Sequence, residues 1–336
     1  MIKKITIISD FWLPQINGVV RALSSLRDAL IKAGYEVQVI HPFLFKNISW
    51  PTYPEIKITI PNAKKFKALI EEFNPDAIHI ASEFPVGLMG RAYCRKHNYR
   101  FTSSFHTRYP EYFKDYLYIP LDWTYRYLRW FHQAAEHTMV STTGLQAELA
   151  SKHFSKLVIW RRGADIAHFH PDKPKTLENL ARPIYLYVGR IAIEKNLEDF
   201  LRLDLTGSKV MVGDGPKLTE YQQIYLDTHF LGVKEGEELA KIYASADVFV
   251  FPSRTDTLGL VNLEALASGV PVAAYPGRGP MDIIGNAPVG CFNSDLAIAC
   301  QQALKLDRKA CREFALNYSW EASAHEFLNN LILAKI

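Results

Sequence analysis

Four short stretches of this chain hold residues able to do chemistry. The richest is FPSRTDTLGLVNLEALASGVPV, residues 251–272. A strand pattern ends at Phe251, a loop carries Asp256, and a helical pattern opens near Gly259 and carries Glu264. Seven residues separate the two acids, so one falls before the helix and the other on its second turn. The free N–H groups of Leu258, Gly259 and Leu260 would face an anion at the positive end of that helix. Two carboxylates beside a phosphate site suit a ligand whose hydroxyl groups donate to them, as a sugar or a ribose would. Either acid alone would serve equally well as an ordinary surface or helix charge.

The second stretch is GRIAIEKN, directly after the strand pattern 184–188, with Arg190 and Lys195 in a strand-to-helix loop. Two cations in such a loop can neutralise a diphosphate as it departs; a solvated basic loop is the plain alternative. The third is PQING, residues 14–18, after the first strand pattern. Gly18 would open the next helix and let a ligand approach the backbone, as at the carboxyl ends of strands in open α/β sheets. An ordinary strand–helix turn would look the same. The fourth is His106 in SSFHTRYPEYF, at a strand end, where it could donate to a ligand oxygen or serve as a structural histidine.

Absences narrow the chemistry. The sequence has no Asp-x-Asp, no G-x-x-x-x-G-K-[ST], and no G-x-G-x-x-G after strand one. The GDGP at 213–216 lacks the third glycine of a dinucleotide fingerprint, which disfavours a dehydrogenase.

These stretches need elements to hold them. Short apolar runs alternate with helical patterns: strands are expected at 5–9, 37–40, 56–60, 77–80, 100–105 and 138–140, with a first helix at 19–33 closed by Gly34. Residues 163–183 lose the periodicity. Strands then resume at 184–188, 210–212, 248–251 and 272–274, with helices at 237–246 and 259–267. Such alternation predicts an α/β protein of two Rossmann-like, doubly wound domains facing a cleft. The expected organisation is a domain over 1–165, a linker over 166–183, a domain over 184–318, and a C-terminal helix over 319–336 that packs back on the first domain.

Composition agrees with a globular chain. Of 336 residues, 48% are hydrophobic and 22% charged, enough for two cores. A formal charge of +4 suits anionic ligands or lipid surfaces and is too small to imply a nucleic-acid partner. The four cysteines form no C-x-x-C pair and have no metal-ligand spacing, which points to a reducing compartment. The opening MIKKITIISDFW does not read as a signal peptide, since its apolar run meets Asp10. No run of about 18 uncharged apolar residues is present to span a bilayer. The expected place is the cytoplasm, peripheral on the inner face of the membrane.

The motifs together resemble the large family of retaining GT-B glycosyltransferases, group 1, and most of all its sulfoquinovosyl-diacylglycerol synthase and phosphatidylinositol mannosyltransferase-like branch. The landmarks are FWLPQINGVVRAL, SFHTRYPEY, RRGADIAHFHP, YVGRIAIEKN, MVGDGP, ASADVFVFPSRTDTLGLVNLEALASGVPVAA and YSWE, in family order over nearly the whole chain. The resemblance implies a UDP- or GDP-linked sugar as donor, held mainly by the C-terminal domain through Arg190, Lys195, Asp256, Thr257, Leu258, Gly259, Leu260 and Glu264. Arg190 and Lys195 would hold the diphosphate in place of a metal, Glu264 the ribose, and Asp256 the transferred hexose. His106 would touch that sugar from the N-terminal domain, Gly18 would approach the phosphates, and Asn17, Arg108 and Tyr109 would meet the acceptor. No cofactor or metal is expected. The chain departs from the family at Asp256, where glutamate is commonest, and the region 197–207 is trimmed.

The acceptor is expected to be a lipid or lipid-linked glycan, with an anionic membrane surface as a further partner. Residues 62–73 pattern as an amphipathic helix with Lys64, Lys65 and Lys67 near its start. Residues 108–132 interleave ten aromatic residues, among them Trp123 and Trp130, with four cations. A core role for those aromatics, a soluble or polysaccharide acceptor, and a sugar-nucleotide epimerase or phosphorylase on the same fold all stay open at this level. A catalytically silent relative is disfavoured by the retained Arg190 and Lys195. Because the sequence offers cations and no Asp-x-Asp, donor turnover should survive EDTA; complete loss on chelation, restored by Mg²⁺ or Mn²⁺, would show that a metal holds the diphosphate.

Overall fold

The computed structural model describes residues 2–15, 17–49, 57–107, 110, 119–254 and 259–335. They divide into two compact units, Met1–Arg162 with Trp320–Ile336, and Gly163–Ser319.

In the first unit, strands β1 (Lys4–Ile8), β2 (Glu36–Ile40), β5 (Ala77–Ile80), β6 (Thr102–Ser104), β7 (Thr138–Val140) and β8 (Leu157–Ile159) form a parallel sheet in the order β2-β1-β5-β6-β7-β8. Helices α1 (Gly18–Lys32), α2 (Ala63–Phe73), α3 (Pro85–Lys96), α4 (Leu121–His132) and α5 (Thr143–Ser151) connect them. Helix α1 shows why the local sequence folds this way. Asn17 caps it, accepting from the N–H groups of Val19 and Val20 at 3.0 Å, and Leu23, Leu26 and Leu30 recur on one buried face. Gly34, at φ +89°, lets the chain leave.

The expected strand at 56–60 does not join this sheet. Lys57–Thr59 (β4) pairs antiparallel with Asn47–Ser49 (β3) in a separate ribbon. One face of that ribbon stays outside the core, with Ile48 and Ile60 half exposed, so it lacks the continuous apolar run that a strand buried on both faces needs.

In the second unit, strands β9 (Ile184–Val188), β10 (Ser208–Val212), β11 (Thr228–Phe230), β12 (Val248–Phe251), β13 (Val272–Ala274) and β14 (Gly290–Phe292) form a parallel sheet in the order β11-β10-β9-β12-β13-β14. Its helices are α6 (Leu197–Leu201), α7 (Leu218–Ile224), α8 (Gly236–Ser245), α9 (Leu260–Ala267), α10 (Arg278–Ile284), α11 (Leu296–Ala303) and α12 (Arg308–Ala315). All five residues of β9, IYLYV, are buried. Residues 166–183, expected as a linker, hold no helix or strand. They nonetheless belong to this unit, with Phe169 and Leu177 buried in its core.

The final helix, α13 (Trp320–Asn330), belongs to the first unit and packs on α1. Phe327 lies against the ring of Trp160, centroids 4.8 Å apart, and Trp160 Nε1 donates to Ser323 Oγ at 3.1 Å.

Strand β1 is tied to α3 through one acid. The Asp10 carboxylate accepts from Ser82 Oγ at 2.6 Å and from the N–H groups of Val86 and Gly87 at 2.8 and 3.1 Å, in the first turn of α3. Burial nevertheless outweighs those bonds and pushes the carboxyl up to about 6. Between about pH 4 and 6 the folded protein keeps a proton that the unfolded chain has lost, so stability declines as pH rises through that window, by about 2–3 kcal/mol. Asp10→Asn should flatten this slope in urea transitions run from pH 4 to 7; equal slopes in both proteins would remove Asp10 as its source.

Candidate active site

In each sheet the chain order reverses beside one strand. For the second unit this switch lies between β9 and β12, which are neighbours although β10 and β11 intervene in sequence. Ligands of open α/β sheets settle at such points, beyond the carboxyl ends of the strands. The two richest stretches of sequence leave from these two strands. Arg190 follows β9 and is exposed; Lys195 ends a 3₁₀ turn, Ile193–Lys195, and is partly buried. The loop after β12 leads to Gly259 and α9.

The loop after β9 is locked to the loop after β10. Gly189 N–H donates to Val212 O at 2.9 Å, Ile191 N–H to Asp214 O at 2.9 Å, and Lys217 N–H to Ile191 O at 3.1 Å. Tyr187 Oη donates to Arg190 O at 2.9 Å. The backbones approach so closely that a Cβ on Gly213 would lie 2.0 Å from Gly189 O, and one on Gly215 would lie 2.3 Å from Ile191 O. GDGP is therefore a packing device that braces the Arg190 loop. Sequence reading recorded its missing third glycine and its place among the family landmarks, and assigned it no structural role; the paired glycines were the available signal.

At the other loop, Gly259 adopts φ +70° at the N-cap of α9, where a Cβ would strike the Phe251 ring at 2.7 Å. Leu260 starts the helix, and Glu264 lies on its second turn, only 3% exposed. Tyr243 Oη donates to Glu264 Oε2 at 3.1 Å. A buried carboxylate held by a buried tyrosine has a fixed direction, unlike an ordinary helix glutamate on the surface. Asp256, Thr257 and Leu258 lie outside the described residues.

Two neighbours escaped sequence reading. Arg254 stacks on Tyr275, 3.9 Å from the ring centroid, and faces Asp199 at 3.8 Å, while Tyr275 Oη donates to Asp199 Oδ2 at 2.9 Å. Ser253 is buried and its Oγ has no partner. Both precede Asp256 in the motif, where the acids drew attention away from them.

In the first unit the switch lies between β1 and β5. Asn17 is occupied as the cap of α1, and a Cβ on Gly18 would meet nothing within 4 Å. Gln15, in the same loop, is 3% exposed, yet neither Oε1 nor Nε2 has a partner. His106 follows β6 by two residues. Its Nε2 lies 2.7 Å from Ser104 Oγ, and its Nδ1 accepts from Arg162 Nη2 at 3.0 Å. Burial first, then the Arg162 charge, with smaller contributions from His79 and His132, holds its pKa well below the ordinary histidine range. The ring is neutral and its two nitrogens are held within this unit, which sequence reading did not foresee. Arg108 and Tyr109 lie outside the described residues.

Comparison with known proteins agrees with this geometry. A model described as Glycosyltransferase Family 4 matches residues 16–168, and one described as Glycosyl transferases group 1 matches residues 169–299. The chain belongs to the group 1 glycosyltransferases. It is 28% identical to a GDP-mannose-dependent alpha-mannosyltransferase of Mycobacterium tuberculosis, over 97% of this chain and 96% of that one. It is 30% identical to a sulfoquinovosyl transferase of Arabidopsis thaliana, over 85% of this chain and 62% of the relative. With an alpha-monoglucosyldiacylglycerol synthase of Streptococcus pneumoniae it shares 25%, over 90% and 78%. Among solved structures, a sucrose-phosphate synthase from Thermosynechococcus elongatus superposes with a TM-score of 0.78 at 20% identity, covering 97% and 98% of the two chains. That last likeness is one of fold, GT-B. The protein is thus a hexosyltransferase, and the switch point between β9 and β12 is where its family chemistry has to be sought.

The glycines separate scaffold from contact. Gly213→Ala should lower stability by about 2–3 kcal/mol, because the loops must part and φ is +138°. Gly18→Ala should stay within about 0.5 kcal/mol of the parent. Urea melts of the two variants test this; a normal Gly213→Ala melt would show that the loops are not braced by close approach.

Proposed function

We propose that this chain is a retaining, metal-independent hexosyltransferase that moves a mannose- or glucose-type sugar from a nucleotide-diphosphate donor to a lipid or lipid-linked glycan. The observation that carries the reading is that Arg190 and Lys195, on the loop after β9 braced by GDGP, and Glu264, on α9 after β12, leave from the two strands of the switch point. The mannosyl and glucosyl relatives support the hexose, and the relative named for diacylglycerol supports the lipid.

In this reading Arg190 and Lys195 meet the diphosphate, whose charge grows as the glycosidic bond breaks, and Glu264 accepts from the ribose hydroxyls. Asp256 addresses the transferred sugar. The reaction passes through an oxocarbenium-like state, with the donor's own phosphate oxygen taking the acceptor proton on the same face. The protein contributes orientation and charge stabilisation, with no metal. Arg190→Ala and Lys195→Ala should each lower kcat by about 100-fold or more, with less effect on donor affinity. Glu264→Ala should mainly weaken donor binding, by about 1.5–3 kcal/mol. Screening UDP-, GDP- and ADP-sugars for binding and turnover, with and without a lipid acceptor, tests the whole reading. Donor consumption at full rate without any acceptor would instead favour an epimerase or phosphorylase.

The first unit offers a surface suited to the lipid. The apolar side of α2 is turned inward, with Phe66 and Ile70 buried, and its exposed side mixes Lys64, Lys65 and Lys67 with Glu71 and Glu72, Lys67 pairing with Glu71 at 3.6 Å. On α4 the aromatics divide. Tyr125 and Phe131 are buried, whereas Trp123 is 72% and Trp130 47% exposed, and Arg126 stands exposed between them. Of the other aromatics in that stretch, those in 109 and 111–118 lie outside the described residues. Two tryptophans around an arginine on one helix face suit the headgroup layer of an anionic membrane, on which the enzyme would sit peripherally at the cytoplasmic side. No helix of the described residues is long and apolar enough to cross a membrane. Sedimentation with vesicles containing phosphatidylglycerol should show binding that fades as salt rises from about 0.05 to 0.5 M, and Trp123→Ala with Trp130→Ala should weaken it. A protein that ignores such vesicles and glycosylates a water-soluble oligosaccharide would exclude the lipid reading.

A further inference from the structure

Strand β6, TSS, is an unusual strand to find inside a buried sheet. Thr102, Ser103 and Ser104 are all inaccessible to solvent, and all are polar. Ser103 Oγ meets His132 Nδ1 at 2.9 Å, and His132 Nε2 lies 3.1 Å from Glu83 Oε1. Thr102 and Ser104 belong to a second series: His79 Nδ1 lies 2.9 Å from Thr102 Oγ1, His79 Nε2 lies 3.0 Å from Ser104 Oγ, and Ser104 Oγ lies 2.7 Å from His106 Nε2. Arg162 Nη2 closes that series on His106 Nδ1 at 3.0 Å.

A guanidinium only donates, so the Arg162 end fixes the proton of His106. His106 Nδ1 must accept. The single proton of the neutral ring is then on Nε2 and is given to Ser104 Oγ. Beyond Ser104 either tautomer of His79 completes the series, because the Ser104 and Thr102 hydroxyls can each donate or accept.

Arg162 is a costly residue to place there. It is 5% exposed, its guanidinium is stacked 3.6 Å from the Trp160 ring centroid, and its Nη1 has no partner. Among the described residues no carboxylate pairs with it, whereas the adjacent Arg161 pairs with Glu326 at 2.7 Å. A buried charge without an ion pair costs several kcal/mol. The side chain it donates to is His106, beside the Trp160 face and the favourable charge of Glu326.

We propose that Arg162 is a positioning residue for His106: it fixes the ring in one flip, uncharged, with its proton on Nε2, the hydrogen that His106 then gives to a sugar oxygen in exchange for Ser104. This rests on the transferase reading above. A neutral donor is the form the reaction needs, because an imidazolium next to an oxocarbenium-like centre would oppose the charge developing there. Among the groups around the ring are Ser104, the edge of Trp160 at 5.9 Å, His79, and His132 with Glu83 beyond it.

The test uses the full chain labelled with ¹⁵N-histidine, with His106→Gln to assign the signal. In the wild type, His106 should show a protonated Nε2 and a bare Nδ1, unchanged from about pH 5.5 to 8, a window that spans the ordinary histidine titration. In Arg162→Met the buried ring should stay uncharged but exchange between its two tautomers, while kcat falls about 10- to 100-fold and the donor KM changes by less than about threefold. A wild-type proton on Nδ1, a wild-type His106 that titrates in that window, or an Arg162→Met enzyme of normal kcat would overturn the proposal. Should Arg162→Met fail to fold by circular dichroism, Ser104→Ala decides the matter. Arg162 is intact there, so the proton should stay on Nε2; its transfer to Nδ1 would overturn the assignment. A wild type that turns over no nucleotide sugar would defeat the transferase reading alone, and the spectra would still decide where the proton resides.

Discussion

A parallel sheet covered by helices on both faces leaves its polar chemistry one exit, the row of loops beyond the carboxyl ends of its strands. Both units of this protein obey that constraint. The side faces of β9 and β12 are spent on the core, so Arg190, Lys195, Gly259 and the base of α9 all emerge at one edge. What makes the edge a site is the closeness of neighbouring backbones there. Gly213 and Gly215 let the β10 loop lean on the β9 loop carbonyl by carbonyl, and Gly259 lets α9 start against the Phe251 ring. Each glycine replaces side-chain volume by main-chain contact, which holds cationic side chains on a stiff support without burying them.

The first unit takes the opposite course. It admits polar residues into the sheet itself and satisfies them internally, strand to strand and then to Arg162. Interior polar networks are tolerable when every member is paired, and in this one the Arg162 Nη1 group stands without a hydrogen-bond partner.

Much of this was legible beforehand. Runs such as IYLYV and VFVF read as buried strands, and the motifs fell directly after them, at the strand ends that the structure shows beside the switch points. Less legible were β11 and β14: THF and GCF lie at the sheet edges, where one neighbour suffices and little apolar sequence is required. The aromatic stretch 108–132 could not be divided by pattern alone, because Tyr125, Phe131, Trp123 and Trp130 share helical spacing and differ only in which way α4 faces. The surroundings of His106 were beyond reach for another reason. Arg162 is 56 residues away in sequence, and a basic pair beside a glycine gives no sign that one member turns inward while the other turns out.

Helix α13 puts the end of the chain into the first unit, so the second unit is in effect an insertion between β8 and α13. Synthesis runs the other way from assembly. When β8 has just been translated, the surface formed by Leu23, Leu26, Leu30, Ala77 and Trp160 has no cover, because Ala324, Phe327 and Leu331 are still more than 150 residues from being translated. The contiguous second unit can complete itself first, whereas the unit begun earlier must wait for the last helix. A nascent chain of this protein therefore carries an open apolar seam while the second unit is being synthesised, and chaperones would be expected to meet it there.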